Sequence, residues 1–115
     1  MKLSKVKDLL ECEVLYGAEI LDEIDISSCM VSDMMSDVLA FAEPWAILIT
    51  GLTNIQSVRT ANIADSAAIV YIRGKKPDET VLGLAREMRI PMLSTDKGMF
   101  DVCGILHAAG LAGIC

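Results

Sequence analysis

Three short stretches of this chain combine hydroxyls, glycines and cations: Thr50-Gly51-Leu52-Thr53-Asn54, Arg73-Gly74-Lys75-Lys76 and Ser94-Thr95-Asp96-Lys97-Gly98. Glycine lets a ligand approach the backbone closely, hydroxyls and N–H groups donate hydrogen bonds, and Arg or Lys supplies charge. That chemistry suits a phosphate or carboxylate. The expected anion contacts are Thr50, Gly51, Thr53 and Asn54, with Arg73, Gly74, Lys75, Thr95 and Lys97 completing the ligand-binding set. The competing reading is structural, because α/β loops use the same residue types as ordinary turns and caps. Asp78 and Asp96, acting as caps, would take up helix N–H groups and repel an anion, which favours Gly51–Asn54.

Signatures of catalysis are missing. The chain has no G-x-x-x-x-G-K-[ST] loop, no G-x-G-x-x-G fingerprint and no G-x-S-x-G elbow. His107 is the only histidine, and no Ser or Cys can be paired with it, so it reads as a helix residue. Asp22, Glu23 and Asp25 cluster without an EF-hand pattern and read as a solvated face. Cys12, Cys29, Cys103 and Cys115 are widely spaced with no C-x-x-C pair, which suits reduced core thiols better than zinc ligands. No catalytic residue, metal ligand or cofactor is expected.

The three loops need elements to hold them. Each follows a short apolar run: Ala46–Ile49, Ala68–Ile72 and Met92-Leu93. Unbroken β-branched runs ended by a small or polar turn suit strands buried on both faces, as in a parallel sheet. Their starts lie roughly 22 to 24 residues apart, a regular β–α spacing. Between them, helices are expected from about Asn54 to Ala64 and after an Asp78 cap, the second with Val81, Leu84, Ala85 and Met88 inward. A last helix is expected to start at a Thr95 or Asp96 cap, with Met99, Cys103 and Leu106 on one side, and to stop at Gly110.

Upstream, Ser4 is expected to cap a short helix through Glu11, and Cys12–Tyr16 reads as a strand. Part of Glu19–Ile26 reads as an edge strand because Ile20, Ile24 and Ile26 alternate with acids. Cys29-Met30-Val31 is a short strand. Ser32 then caps a helix to about Ala42, with Met34, Met35, Val38, Leu39 and Ala42 on a core face. The fold class is therefore α/β: a single compact domain over residues 1–115 with a parallel-rich sheet of βα units flanked by helices.

Composition sets limits. A chain of 115 residues with 53% hydrophobic and only 4% aromatic residues builds one aliphatic core. No apolar stretch approaches the roughly 20 residues that span a bilayer, and the start does not read as a signal peptide. A cytoplasmic location is the default expectation. The net charge of −6 is uneven: residues 1–43 carry −7 and residues 44–115 carry +1. The acidic first part argues against a nucleic-acid or membrane surface, while the second can host a local anion site.

KVKDLLECEVLYG, then AILITG, then AAIVYIRGKKPDETVLGLAREMRIPMLST, resembles the DRTGG domain family, which is related to the amino-terminal domain of HPr kinase/phosphorylase. The resemblance runs from Lys5 to about Leu106 and is best at Leu48-Ile49-Thr50-Gly51, Gly74, Pro77, Ala85 and Ile90-Pro91. It implies a compact α/β domain, generally regulatory, found alone or fused to phosphotransacetylases and, with CBS domains, to pyrophosphatases. The signature is degenerate. Leu52-Thr53 stands where the family has Asp-Arg, and Ile72-Arg73-Gly74 where it has Thr-Gly-Gly.

The resulting expectation is a non-catalytic regulatory or sensor module that binds a small anionic ligand, a nucleotide among the candidates, or a protein partner. Two alternatives stay open: a small phosphate-handling enzyme using the strand-end loops, and a purely structural interaction domain. A homodimer is expected, because related domains often pair and the apolar tail from Ala108 to Cys115 must dock on its own domain or feed an interface.

Overall fold

An apolar run buried on both faces needs cover above and below, and the computed structural model, which describes residues 1–114, supplies it with helices. The elements in chain order are α1 (Leu3–Leu10), β1 (Glu13–Tyr16), a 3-10 helix (Ala18–Glu23), β2 (Ser28–Val31), α2 (Met35–Phe41), β3 (Ile47–Thr50), α3 (Ile55–Ile63), β4 (Ala68–Tyr71), α4 (Glu79–Met88), β5 (Met92–Ser94), α5 (Met99–Ala108) and β6 (Ala112–Gly113). The sheet order is β1-β5-β4-β3-β2-β6. Strands β2 to β5 are mutually parallel, β6 adds parallel to β2, and only β1 runs antiparallel, against β5. Every residue of β3, β4 and β5 is buried, as their unbroken apolar runs require.

The core divides at the sheet. One face packs Leu3, Val6 and Leu10 of α1 and Val102 and Leu106 of α5 against Ile47, Ile49, Val70 and Leu93. The other packs Val38 of α2, Val58 and Ala61 of α3, and Val81 and Ala85 of α4 against Leu48, Ile69, Tyr71 and Met92. Alternate residues of each strand thus serve opposite layers.

Several expected boundaries move, each for a visible reason. Helix α1 begins at Leu3 instead of being capped by Ser4, because Leu3 is fully buried and its N–H donates to Ile24 O at 2.9 Å. The stretch Glu19–Ile26 is not an edge strand. Gly17, at φ +97°, turns the chain sharply into the 3-10 helix, which buries Leu21, and only Asp25 bridges back, to Lys2. Helix α2 is shorter than expected and presents a narrower core face. Of its five expected inward residues only Val38 is buried, while Met34 is 60% and Leu39 51% exposed. Ser32 does not cap it; the Ser32 hydroxyl instead accepts from Met34 N–H in a local turn, and Met34 stays extended. Helix α5 starts after Gly98 with no side-chain cap, since Thr95 is engaged elsewhere and Asp96 lies outside the helix. The apolar tail docks on its own domain through β6, with Ile114 N–H donating to Cys29 O at 3.0 Å; Cys115 lies outside the described residues.

Candidate functional site

Parallel register makes the three loops neighbours. Thr50 of β3 pairs with Tyr71 of β4, and Tyr71 with Ser94 of β5, so the strands end at one level. The loop after β4 is a tight turn. Arg73 (φ +54°) and Gly74 (φ +69°) both adopt left-handed backbone, and Lys75 N–H closes the turn on Ile72 O at 3.0 Å. Two positive-φ residues inside a four-residue turn match type I′, which favours Asn-Gly and penalises a long side chain in the first place. An arginine there holds strain of roughly 1–3 kcal/mol. The neighbouring loop enforces it: Arg73 N–H donates to Lys97 O at 2.9 Å and Gly74 N–H to Thr95 O at 2.8 Å. Gly74 also lies tight against Asp96, whose Oδ1 would sit 3.0 Å from an added Cβ.

The cations split by partner. Lys76 pairs with Glu13 at 2.7 Å and Lys97 with Glu11 at 3.7 Å, so both lean toward β1 and the end of α1. The hydrogen bond to Glu13 raises the Lys76 pKa, assisted by the carboxylate's charge. Lys75 Nζ donates to Gly51 O at 3.2 Å, which ties the β4 loop to the β3 loop. Arg73 has no ion pair among the described residues, and its Nη2 lies 3.5 Å from where a Cβ on Gly51 would stand.

The residue that sequence reasoning missed is Asp33, in the loop after β2. Its Oδ1 accepts from Thr50 Oγ1 at 3.0 Å and from Gly51 N–H at 2.7 Å. Thr50 Oγ1 in turn accepts from Leu52 N–H at 3.1 Å. The hydroxyl of Thr50 and the N–H of Gly51, two of the expected anion contacts, are therefore engaged by an internal carboxylate. The signal in sequence was an acid two residues after a predicted strand, in line with the other strand-end loops. It was masked because Ser32 looked like the helix cap.

Thr53 and Asn54 sit across from the start of α4. With Ile55, Lys76, Asp78, Thr80 and Val81 they line an open cleft of about 590 Å³. Asp78 caps α4 through Val81 N–H, as expected, and Asn54, expected as the start of α3, caps it through Gln56 N–H. A buried link fixes this corner: Ser57 Oγ donates to Asn54 O at 2.7 Å, so the Tyr71 hydroxyl, 2.8 Å away, must donate to Ser57. Burial pushes the Tyr71 pKa up to about 12. Thr95 is nearly fully buried, and its hydroxyl donates across the fold to Leu10 O at 2.7 Å, so it supports the loop from below.

Two other hollows are chemically plainer. One of about 410 Å³ at the opposite sheet edge, beside Trp45, Asp65 and Arg89, is far from the loops. An apolar one of about 370 Å³ between β2, α5 and β6 holds Cys29, Cys103 and His107. Among the described residues no group of His, Cys, Asp and Glu is arranged to hold a metal ion. No helix among them is long and apolar enough to cross a membrane.

Comparison with known proteins agrees with this architecture. A search of curated proteins gives no significant match. Among solved structures, the chain is similar to the CBS and DRTGG domains of the regulatory region of Clostridium perfringens pyrophosphatase, crystallised with its activator, diadenosine tetraphosphate. The TM-score is 0.70 at 16% identity, covering 91% of this chain and 45% of that one. This chain thus spans less than half of that neighbour, and the likeness speaks to the fold. The family model described as the DRTGG domain matches residues 5–109, from the first turn of α1 to the residue just after α5, and this chain belongs to that family.

Proposed function

We propose that the chain is a non-catalytic regulatory module that binds a small anionic ligand, a nucleotide among the candidates, at the carboxyl-terminal edge of its parallel strands. Arg73 carries the reading: an unpaired guanidinium, on a strained backbone, beside the loop that opens α3. Arg89 and three other non-glycine residues share the left-handed backbone, but of these only Arg73 stands in the turn that follows β4, where Asn or Gly would serve without strain, which favours a ligand for the guanidinium to grip. Lys75, Thr53 and Asn54 complete the contacts, with Gly74, Thr95 and Lys97 holding the loops and Thr50 and Gly51 reached through Asp33. The open cleft of about 590 Å³ that Thr53 and Asn54 line is of the usual size for small-molecule sites, although Arg73 and Lys75 are not among its lining residues. The neighbour's regulatory region, crystallised with a polyphosphate activator, favours the same class of ligand.

The enzyme alternative finds little support at this edge. The one hydroxyl–carboxylate hydrogen bond there among the described residues, Thr50 with Asp33, has a fully buried hydroxyl, unsuited to attack a substrate. A thermal-shift screen of nucleotides, acyl phosphates and sugar phosphates tests the proposal, because a ligand that binds only the native state raises the melting temperature. No shift with any anion at millimolar concentration would sink it.

Pairing into a homodimer has its own observation in favour. Met34, Leu39, Phe41 and Trp45, from α2 and the segments that flank it, and Ile63 at the end of α3 are exposed apolar side chains. Light scattering at high micromolar concentration should give twice the monomer mass; a monomer throughout argues against pairing.

A further inference from the structure

Asp33 is the unexplained group at this edge, since an acid beside an anion site weakens it by like-charge repulsion. Its two oxygens are used differently. Oδ1 accepts both the Thr50 hydroxyl and the Gly51 N–H, while Oδ2 has no hydrogen-bond donor among the described residues. Both oxygens and Arg73 Nη2 border one small space: each lies 3.5 Å from where a Cβ on Gly51 would stand. The carboxylate is thus pinned by one oxygen, with an open acceptor facing the same space as an unpaired guanidinium.

We propose that Asp33 and Arg73 together recognise a phosphorylated sugar, nucleotides included: the guanidinium binds a phosphate and Oδ2 accepts a hydrogen bond from a sugar hydroxyl. This rests on the anion reading above and narrows its ligand class. Arg suits phosphate because its planar fork donates two parallel hydrogen bonds. A fixed carboxylate disfavours a bare polyphosphate, which brings charge and no donor, but becomes a charge-assisted acceptor for a hydroxyl. A site built to bond a hydroxyl discriminates against the analogue lacking it more sharply than apolar contact does. A cation is a poor alternative occupant, given Arg73 and Lys75 at the same place.

A purely structural role makes a different demand. Oδ1 alone satisfies Thr50 and Gly51, so Asp33→Asn keeps those bonds and replaces only the outer acceptor with a donor. The test measures affinities of ATP, 2′,3′-dideoxy-ATP and tripolyphosphate by calorimetry on the parent and on D33N. The parent should prefer ATP over the dideoxy analogue by on the order of ten-fold. In D33N that preference should shrink, because a neutral amide bonds a hydroxyl less strongly than a carboxylate does, and tripolyphosphate should bind more tightly than to the parent. Gly51→Ala is the second variant, because its methyl would fill the space between the two groups and should abolish the ATP preference while residue 33 stays aspartate. An ATP preference unchanged in D33N, or a parent that binds tripolyphosphate as tightly as ATP, overturns the sugar assignment and leaves the anion site standing. If none of the three binds the parent, the sugar assignment falls, and the anion reading falls with it only if the wider thermal-shift screen is also negative.

Discussion

Asp33 Oδ1 lies 2.7 Å from the N–H of Gly51, joining the loop after β2 to the loop after β3 across the edge of the sheet. The same oxygen takes the Thr50 hydroxyl at 3.0 Å, and Thr50 is fully buried. Removing the carboxylate leaves two donors short of a partner, one of them out of reach of water. Asp33→Ala should therefore cost about 1–3 kcal/mol of stability, read as a lower urea midpoint with an unchanged slope. Asp33→Asn should cost far less, because Oδ1 persists. Equal losses in the two variants would mean that the negative charge, not the hydrogen bonds, holds the loops.

Arg73 gives the opposite trade. Asn tolerates left-handed backbone better than arginine does, so Arg73→Asn should release part of the roughly 1–3 kcal/mol of strain in the turn and raise the melting temperature. The same change removes the unpaired guanidinium, so the stabilisation by any anion found in the thermal-shift screen should shrink or disappear. A variant that melts lower than the parent would show that the arginine side chain stabilises the fold itself.

Gly51 differs from Gly74. Its backbone is not left-handed, and an added Cβ would make only ordinary 3.5 Å contacts with Arg73 Nη2 and the Asp33 oxygens. Gly51→Ala should fold with stability within about 0.5–1 kcal/mol of the parent, shifted upward if anything by a less flexible unfolded chain. Gly74→Ala, with φ +69° and Asp96 Oδ1 at 3.0 Å, should be clearly destabilised. Circular-dichroism melts of the two variants side by side separate the cases.

Alkaline pH should weaken the fold. Burial pushes the thiols of Cys12 and Cys29 up to about 12 from 9.0, and the Tyr71 hydroxyl up to about 12 from 10.0. All three are neutral in both states below about pH 9, so their contribution is fully present there. As pH rises from 9 toward 12, the unfolded chain ionises while the native groups resist, and stability is lost. Melting temperature against pH should be insensitive to these groups below 9 and fall above it. A Cys12→Ala, Cys29→Ala, Tyr71→Phe triple variant should start less stable but lose less between pH 9 and 12; a parallel fall would point to other groups.

Tyr71→Phe alone isolates the corner beneath Asn54. Ser57 keeps its own bond to Asn54 O, so the lost phenol bond should cost only about 0.5–1.5 kcal/mol. If Tyr71 positions the ligand loop, anion affinity should fall as well, by calorimetry; unchanged affinity would restrict it to stability.

Where the chemistry was local, the sequence was enough. The apolar runs from Ala46, Ala68 and Met92 had to be strands covered on both faces, and their β–α spacing made them parallel neighbours, which brings the Thr50, Arg73 and Ser94 loops to one edge. The Asp78 cap acts on an N–H group three residues away and was equally legible, as was the start of α3 near Asn54. What depended on distant partners was not. Leu3 starts α1 because Ile24 lies across from it, and Glu19–Ile26 coils because Gly17 turns the chain away from β1. Alternating Ile and acid residues cannot distinguish a strand from a short helix with one buried side, since Leu21 alone supplies the contact. Asp33 is the sharpest case. The expected Ser32 cap placed it inside the first turn of a helix, and only the pairing of β2 beside β3 puts it on Gly51 and Thr50, 18 and 17 residues on. Residue type and spacing determined which groups the edge offers; tertiary pairing decided which donors are already engaged, because a hydrogen bond between distant residues exists only once the sheet has set their distance.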